Sequence, residues 1–202
     1  MKILAIEAAL GAGQVALWSN HQVVEAATIE DPRSLAEHLV PTIDLILGQA
    51  GASYATVDRI VVSVGPGTFT GLRIGLAAAR AISLAAECPI IGVTTLEALA
   101  FGAASNVTGG ETLIVAIDAR RGQVYLQAFQ PKGDAMFPVA PGRAVDIHDI
   151  GDFLPGGPVL VVGSAAVLVG SARNGGIRLS EDFDRIDVGV LCAIARDRTP
   201  TG

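Results

Sequence analysis

The chain has 202 residues, half of them hydrophobic and 17% charged, with 20 acids against 14 bases and a formal net charge of −6. That length builds a real core in one domain or two small ones, and the acidic balance argues against binding nucleic acid unaided, because phosphate contacts need a basic face. Two cysteines and three histidines exclude a disulfide framework and a four-cysteine zinc site, and leave few metal ligands.

The opening run Ile3-Leu4-Ala5-Ile6 meets Glu7 after four apolar residues, too short for a signal-peptide core. No run approaches the roughly 20 residues of a membrane span, so a cytoplasmic protein is expected. Residues 2–18 read as a hairpin: an apolar strand, an acid, a turn containing glycine, then a strand opened by Gly13. A third strand runs from Gln22 to Ile29. A helix follows from about Arg33 to Ala50, with Leu35, Leu39, Ile43, Ile46 and Leu47 at helical spacing and Pro41 set to kink or divide it.

Arg59 to Val64 is a strand. The segment Gly65-Pro66-Gly67 opens a helix over 69–86, and a short strand spans Pro89 to Val93. Thr94-Thr95-Leu96-Glu97 has the form of a capping box for another helix. A second hairpin covers about 112–129 and repeats the first: Ala5-Ile6-Glu7-Ala8 matches Ala116-Ile117-Asp118-Ala119, and Gly13-Gln14-Val15 matches Gly122-Gln123-Val124. Turn-rich sequence from Pro131 to Gly142 follows, then a short helix capped by Asp146. A strand over Pro158–Val162, helical sequence from Ser164 to Ala172, a turn at 173–176 and a last helix over Val188–Ala195 complete the chain. This doubled string of elements predicts two α/β lobes, 1–104 and 105–202, that share a cleft.

Three features could carry function, and each has two readings. The run Gly65-Pro66-Gly67-Thr68-Phe69-Thr70-Gly71-Leu72-Arg73-Ile74-Gly75 stands where helix amides bind anions, yet it lacks a P-loop lysine and the third glycine of a dinucleotide fingerprint. It equally suits a tight turn that lets a helix pack close to the sheet. The 69–86 helix is apolar almost all round, with Arg73, Arg80 and Glu87 on one thin stripe. Either a partner covers it or it is a central core helix. Glu7 and Asp118 end equivalent strands and could face each other across a cleft, with Arg120 and Arg121 as anion holders, or they stand as strand-end acids in solvent. No metal site and no catalytic residue emerges: His38 has Ser34 and Thr42 at its i±4 positions, and His21 and His148 are isolated.

The 65–75 run resembles the signature of the bacterial TsaB (YeaZ) family, of the glycoprotease-like superfamily. Ile117-Asp118-Ala119-Arg120-Arg121-Gly122-Gln123-Val124-Tyr125 resembles a second signature, Met1–Trp18 the family's opening hairpin, and Glu37-His38-Leu39-Val40-Pro41 its first helix. The resemblance covers about residues 1–130 well and the rest weakly. It implies an α/β, actin-like fold of the sugar kinase/Hsp70/actin type, with two duplicated RNase H-like lobes and a shortened second one.

By the same resemblance, the expected function is that of a non-catalytic subunit in making tRNA N6-threonylcarbamoyladenosine. It binds and stabilises a TsaD-type catalytic partner, with a TsaE-type ATPase and tRNA engaged only through the complex, and pairs with itself when alone. The association surface it implies lies on the two long helices: Leu39, Ile43, Phe69, Thr70, Leu72, Arg73, Leu76 and Arg80. Asp118, Arg120 and Arg121 are weak cofactor candidates, with no cofactor expected beyond weak ATP or ADP at a subunit interface. Two departures stand out: Glu7-Ala8-Ala9 replaces the family's Asp-Thr/Ser-Ser, and a closing Pro-x-Tyr-Leu-Arg segment is missing. Rival readings are a small actin-fold kinase or ATPase using Glu7 and Asp118, and a metallopeptidase.

Overall fold

A computed structural model describes residues 1–133, 135–173, 175–180 and 182–199. Asn174, within the expected 173–176 turn, lies outside the described residues. The chain divides into two compact units, Met1–Thr95 together with the segment from Asp187 onward, and Leu96–Ile186.

In the first unit, β1 (Ile3–Glu7), β2 (Gly13–Ser19) and β3 (Gln22–Ile29) form an antiparallel meander, and β4 (Arg59–Ser63) and β5 (Ile90–Val93) add parallel strands beside β1. The order is β3-β2-β1-β4-β5. Helix α1 (Leu35–Gln49) joins β3 to β4 and α2 (Phe69–Ala86) joins β4 to β5. Leu4 and Ile6 of β1, Val15 and Leu17 of β2, and Ile60 and Val62 of β4 share one core with Leu35, Leu39, Ile43 and Ile46 of α1 and Ala78, Ala79 and Ile82 of α2. Alternation sends Ile3, Ala5 and Val61 to the other face, where they are equally buried. Helix α6 (Val188–Asp197) packs on β1, β2, β4 and β5.

Pro41 sits inside α1 without dividing it. The proline removes the hydrogen bond to the Glu37 carbonyl, and both residues are exposed, where water can take that carbonyl.

The second unit begins at Leu96, one residue into α3 (Thr95–Gly102). Its sheet comprises β6 (Thr112–Arg120), β7 (Gln123–Lys132), β8 (Ala135–Pro138), β9 (Arg143–Asp146), β10 (Val159–Val162) and β11 (Ile177–Ser180). The order β8-β7-β6-β10-β11 repeats the first sheet, with β6–β7 antiparallel and β6–β10 and β10–β11 parallel. Strands β8 and β9 pair with successive stretches of β7. The helices between strands, α4 (Ile150–Phe153) and α5 (Ala166–Gly170), have only four and five residues. Two sheets of one order, each an antiparallel meander extended by parallel strands, make this an actin-like α/β fold with duplicated lobes.

Several expectations change. The unit division falls between Thr95 and Leu96, not at 104/105, and α6 leaves the second lobe for the first. The reason is burial: Val188, Leu191, Cys192 and Ala195 of α6 are buried in packing on a sheet face that α1 and α2 leave open. Arg59 fastens the end of α6 by donating from Nη1 to the carbonyls of Ala195 (2.8 Å) and Arg198 (3.0 Å). Strands β8, β9 and β11 lie in sequence read as turn or left unassigned. Each has four residues, too few to show a period. Asp146 makes no cap bond; its Oδ1 accepts from Gln123 Nε2 at 3.2 Å instead.

Candidate functional site

Helix α2 is rooted on the turn of the first hairpin. Thr68 N–H donates to the Ala9 carbonyl at 2.7 Å, and Leu72 N–H to the Thr68 carbonyl at 3.0 Å. A Cβ added at Gly67 would overlap the Ala9 carbonyl, and one at Gly71 the Ala8 carbonyl. The glycines therefore admit the hairpin backbone to the start of the helix. Carbonyl oxygens occupy the face where an anion cradle would need amides, which favours the packing reading of the 65–75 run. The Gly65–Pro66 peptide is cis.

From that seat α2 shows two faces. Gly71, Gly75, Ala78, Ala79 and Ile82 are buried. Phe69, Thr70, Arg73, Ala77, Arg80, Ala81, Leu84 and Ala85 are exposed, with Phe69 at 67% and Leu84 at 83%. The Arg73 guanidinium lies 3.8 Å from the Phe69 ring centroid, a cation–π contact at the start of this stripe. By length and composition α2 could span a membrane, with 28% of it buried inside the chain, so the expectation that no run is long enough does not hold for it.

Of the residues expected on an association surface, Phe69, Thr70, Arg73 and Arg80 face outward. Leu72 and Leu76 are half-buried, and Leu76 packs on the core. Leu39 and Ile43 are buried, at 1% and 0% exposure, and belong to the unit's own core. Their helical spacing marked the inner face of α1, not the outer one. Sequence reasoning passed over Ala77, Ala81 and Leu84, although Ala77 and Leu84 lie four residues beyond Arg73 and Arg80, and Ala81 four beyond Ala77, which places them on the same stripe.

The strand-end acids differ. Glu7 is 1% exposed. Its Oε1 accepts from Ala9 N–H (2.7 Å) and Leu10 N–H (3.3 Å), while Oε2 has no hydrogen-bond partner. Burial pushes this carboxyl above its ordinary value, opposed by the Ser63 hydroxyl and the two amides. It is not the solvent-facing acid that one reading expected. Asp118 is partly exposed: its Oδ1 accepts from Arg120 N–H at 2.7 Å and Oδ2 lies 3.7 Å from Arg120 Nη1. Arg121 stands exposed at the hairpin tip. Asp118 and Arg120 thus come together, whereas Glu7 belongs to the other unit.

Among the described residues no three His, Cys, Asp or Glu side chains cluster as metal ligands. Cys88 and Cys192 are both buried. Burial pushes both thiols up, Cys192 to about 12, the opposite of an activated nucleophile.

Residues 29–161 match the family model TsaD, tRNA N6-adenosine threonylcarbamoyltransferase. The tRNA threonylcarbamoyladenosine biosynthesis protein TsaB of Escherichia coli is 41% identical over 130 residues, 64% of this chain and 55% of that protein. The chain thus spans just over half the length of that relative. An uncharacterised protein of Mycobacterium tuberculosis is 36% identical over 155 residues, 72% of this chain and 70% of its own length. The solved structure of YeaZ from Pseudomonas aeruginosa superposes with a TM-score of 0.82 at 25% identity, covering 96% of this chain and 90% of that one. With the signature segment seating α2 and the duplicated sheets in place, these likenesses settle the family: the chain belongs to the TsaB (YeaZ) family.

Proposed function

We propose that the chain is a non-catalytic subunit of the machinery that makes tRNA N6-threonylcarbamoyladenosine, and that it binds and stabilises a TsaD-type catalytic partner. One observation carries this reading: the exposed apolar stripe of α2 in a chain whose relatives are named for tRNA threonylcarbamoyladenosine biosynthesis. Phe69 and Leu84 bracket the stripe, about 22 Å apart at 1.5 Å per residue. Ala77 and Ala81 between them present little bulk, so a partner helix can approach closely. Arg73 and Arg80 stand on the same exposed side and fix register at its rim.

The same face pairs two copies when no partner is present. The TsaD-type protein supplies the chemistry, a TsaE-type ATPase and tRNA join through the complex in the cytoplasm, and the chain takes no cofactor of its own beyond weak ATP or ADP at a subunit interface. Co-purification with the TsaD-type protein of the same cell tests this. Leu84→Glu should weaken association at least tenfold while changing folding stability by less than about 0.5 kcal/mol, since the side chain has no core contact to lose. Unimpaired association of that variant would remove the stripe from the interface. ATP turnover by the isolated chain that disappears in Asp118→Ala would replace the scaffold reading with a kinase or ATPase. Leu76→Glu is a poor probe, because Leu76 packs on the core.

A further inference from the structure

The buried carboxyl of Glu7 stands at one end of a short series of contacts whose other end is the exposed stripe of α2. Three successive amides after β1 are held from below: Ala8 N–H donates to Ser63 Oγ at 3.4 Å, and those of Ala9 and Leu10 donate to Glu7 Oε1. The carbonyls of Ala8 and Ala9 are held from the other side by the bare Cα atoms of Gly71 and Gly67 and by Thr68 N–H. Thr68 in turn supplies the carbonyl to which Leu72 N–H donates, in the first turn of α2. Phe69 and Arg73, stacked on each other, project from that turn. A buried acid with no cation beside it costs stability, so its place here calls for a role.

We propose that Glu7 is a positioning residue for the N-terminal turn of α2: it fixes the Ala8–Ala9 backbone, and that backbone fixes the direction in which Phe69 and Arg73 leave the sheet. Its consequence for partner binding rests on the association reading above, whereas the positioning itself is a property of the isolated chain. The role needs an acceptor at Oε1, not a charge, so glutamine should replace glutamate and leucine should not.

Amide hydrogen exchange of the isolated protein is the test. Glu7→Leu should speed exchange at Thr68 and Leu72 by about tenfold, the loss of one hydrogen bond's worth of protection. Glu7→Gln should keep both at the wild-type rate, and amides of the second sheet, such as Leu126, should not move in either variant. A general loss of stability would move all of them together. Thr68→Pro reaches the same link from its exposed end. Thr68 has φ −68°, which proline accepts, and the substitution removes the N–H that donates to Ala9 together with a hydroxyl that makes no cap hydrogen bond. It decides the question if Glu7→Leu does not fold. Unchanged exchange at Leu72 in Thr68→Pro, or equal acceleration by Gln and Leu at position 7, would overturn the proposal. In a binding assay with the TsaD-type protein, Glu7→Leu should weaken association and Glu7→Gln restore it. If the wild type does not bind, the association reading fails and exchange alone decides positioning.

Discussion

The two hairpins of the duplicated fold share a plan and differ in what is built on it. In each, the acid at or near the end of the first strand accepts the N–H two residues on: Ala9 for Glu7, Arg120 for Asp118. In each, a serine at or after the end of the adjacent parallel strand accepts a nearby amide, Ser63 from Ala8 and Ser164 from Asp118. The surroundings then diverge. An 18-residue helix is seated on the first turn and Glu7 is buried, while the corresponding helix of the second unit, α5, has five residues and Asp118 is partly open. The local hydrogen bond is common to both hairpins, and the burial of the acid is not. The scaffold is thus repeated in both halves, and a long, partly exposed helix is found at this place in only one.

Adding a methyl group to each half is the harshest way to probe that difference. A Cβ at Gly71 would overlap the Ala8 carbonyl, and one at Gly163 the Ala116 carbonyl, with Gly163 also at φ +99°. A backbone carbonyl cannot rotate away as a side chain can, so each alanine variant should lose about 3 kcal/mol in urea unfolding. The two should part in association: Gly71→Ala displaces α2 and should abolish it, whereas Gly163→Ala should leave the native fraction fully competent. Equal loss of binding in both would mean that the presenting surface is not confined to α2.

The two buried acids set pH limbs of opposite sign. Glu111 in the second unit receives Arg178 Nη2 at 2.7 Å and Nε at 3.0 Å, and the Thr108 N–H at 2.9 Å. Its carboxyl is pulled down to about 2, mainly by the Arg178 hydrogen bonds. Its contribution is fully present above the ordinary value near 4.5 and is lost as pH falls toward 2. Glu111→Gln should cost about 1–2 kcal/mol at neutral pH, limited by the half-exposed arginine, and should flatten the acid limb of a urea-midpoint profile. Glu7 is raised, so folding is most favoured while it keeps its proton, below about 4.5, and loses ground as pH rises through the folded value. Glu7→Gln should therefore gain on the wild type toward neutral pH. A wild type that gains on Glu7→Gln over that range would show that Glu7 is ionised and satisfied, and the opposition between the two pH limbs would disappear.

Much of this contrast could be read from the chain itself. The bounds of α2 and β3 and the presence of the repeated hairpins follow from apolar period and glycine placement, because those elements are long or flanked by strong turn signals. The inner face of α1 was visible in its spacing, but spacing alone does not say whether Leu39 and Ile43 meet their own sheet or a partner. Only the third dimension separates a core stripe from an association stripe when both are apolar. The return of α6 to the first sheet was not legible, since nothing in Val188–Asp197 names the surface it covers. The burial of Glu7 was hidden for the same reason, since nothing near it in the sequence says what covers a strand-end acid.

The tip of the second hairpin offers the mildest change and completes the comparison. Arg121 and Gly122 form its two-residue turn with φ +54° and +79°, following Arg120 at φ +64°. Both central residues with positive φ define a type I′ turn, which favours Asn-Gly. Arginine at the first position carries a steric cost there that asparagine largely avoids. Arg121→Asn should therefore raise stability by about 0.5 kcal/mol, seen as a small rise in the unfolding midpoint with the slope unchanged. The turn of the first unit's β2–β3 hairpin already uses Asn20 at φ +52° with His21 at +67°, so asparagine is at home in such a position in this protein. A loss of stability on Arg121→Asn would show that the arginine makes a contact holding the tip, and that the second hairpin, like the first, carries more than its own fold.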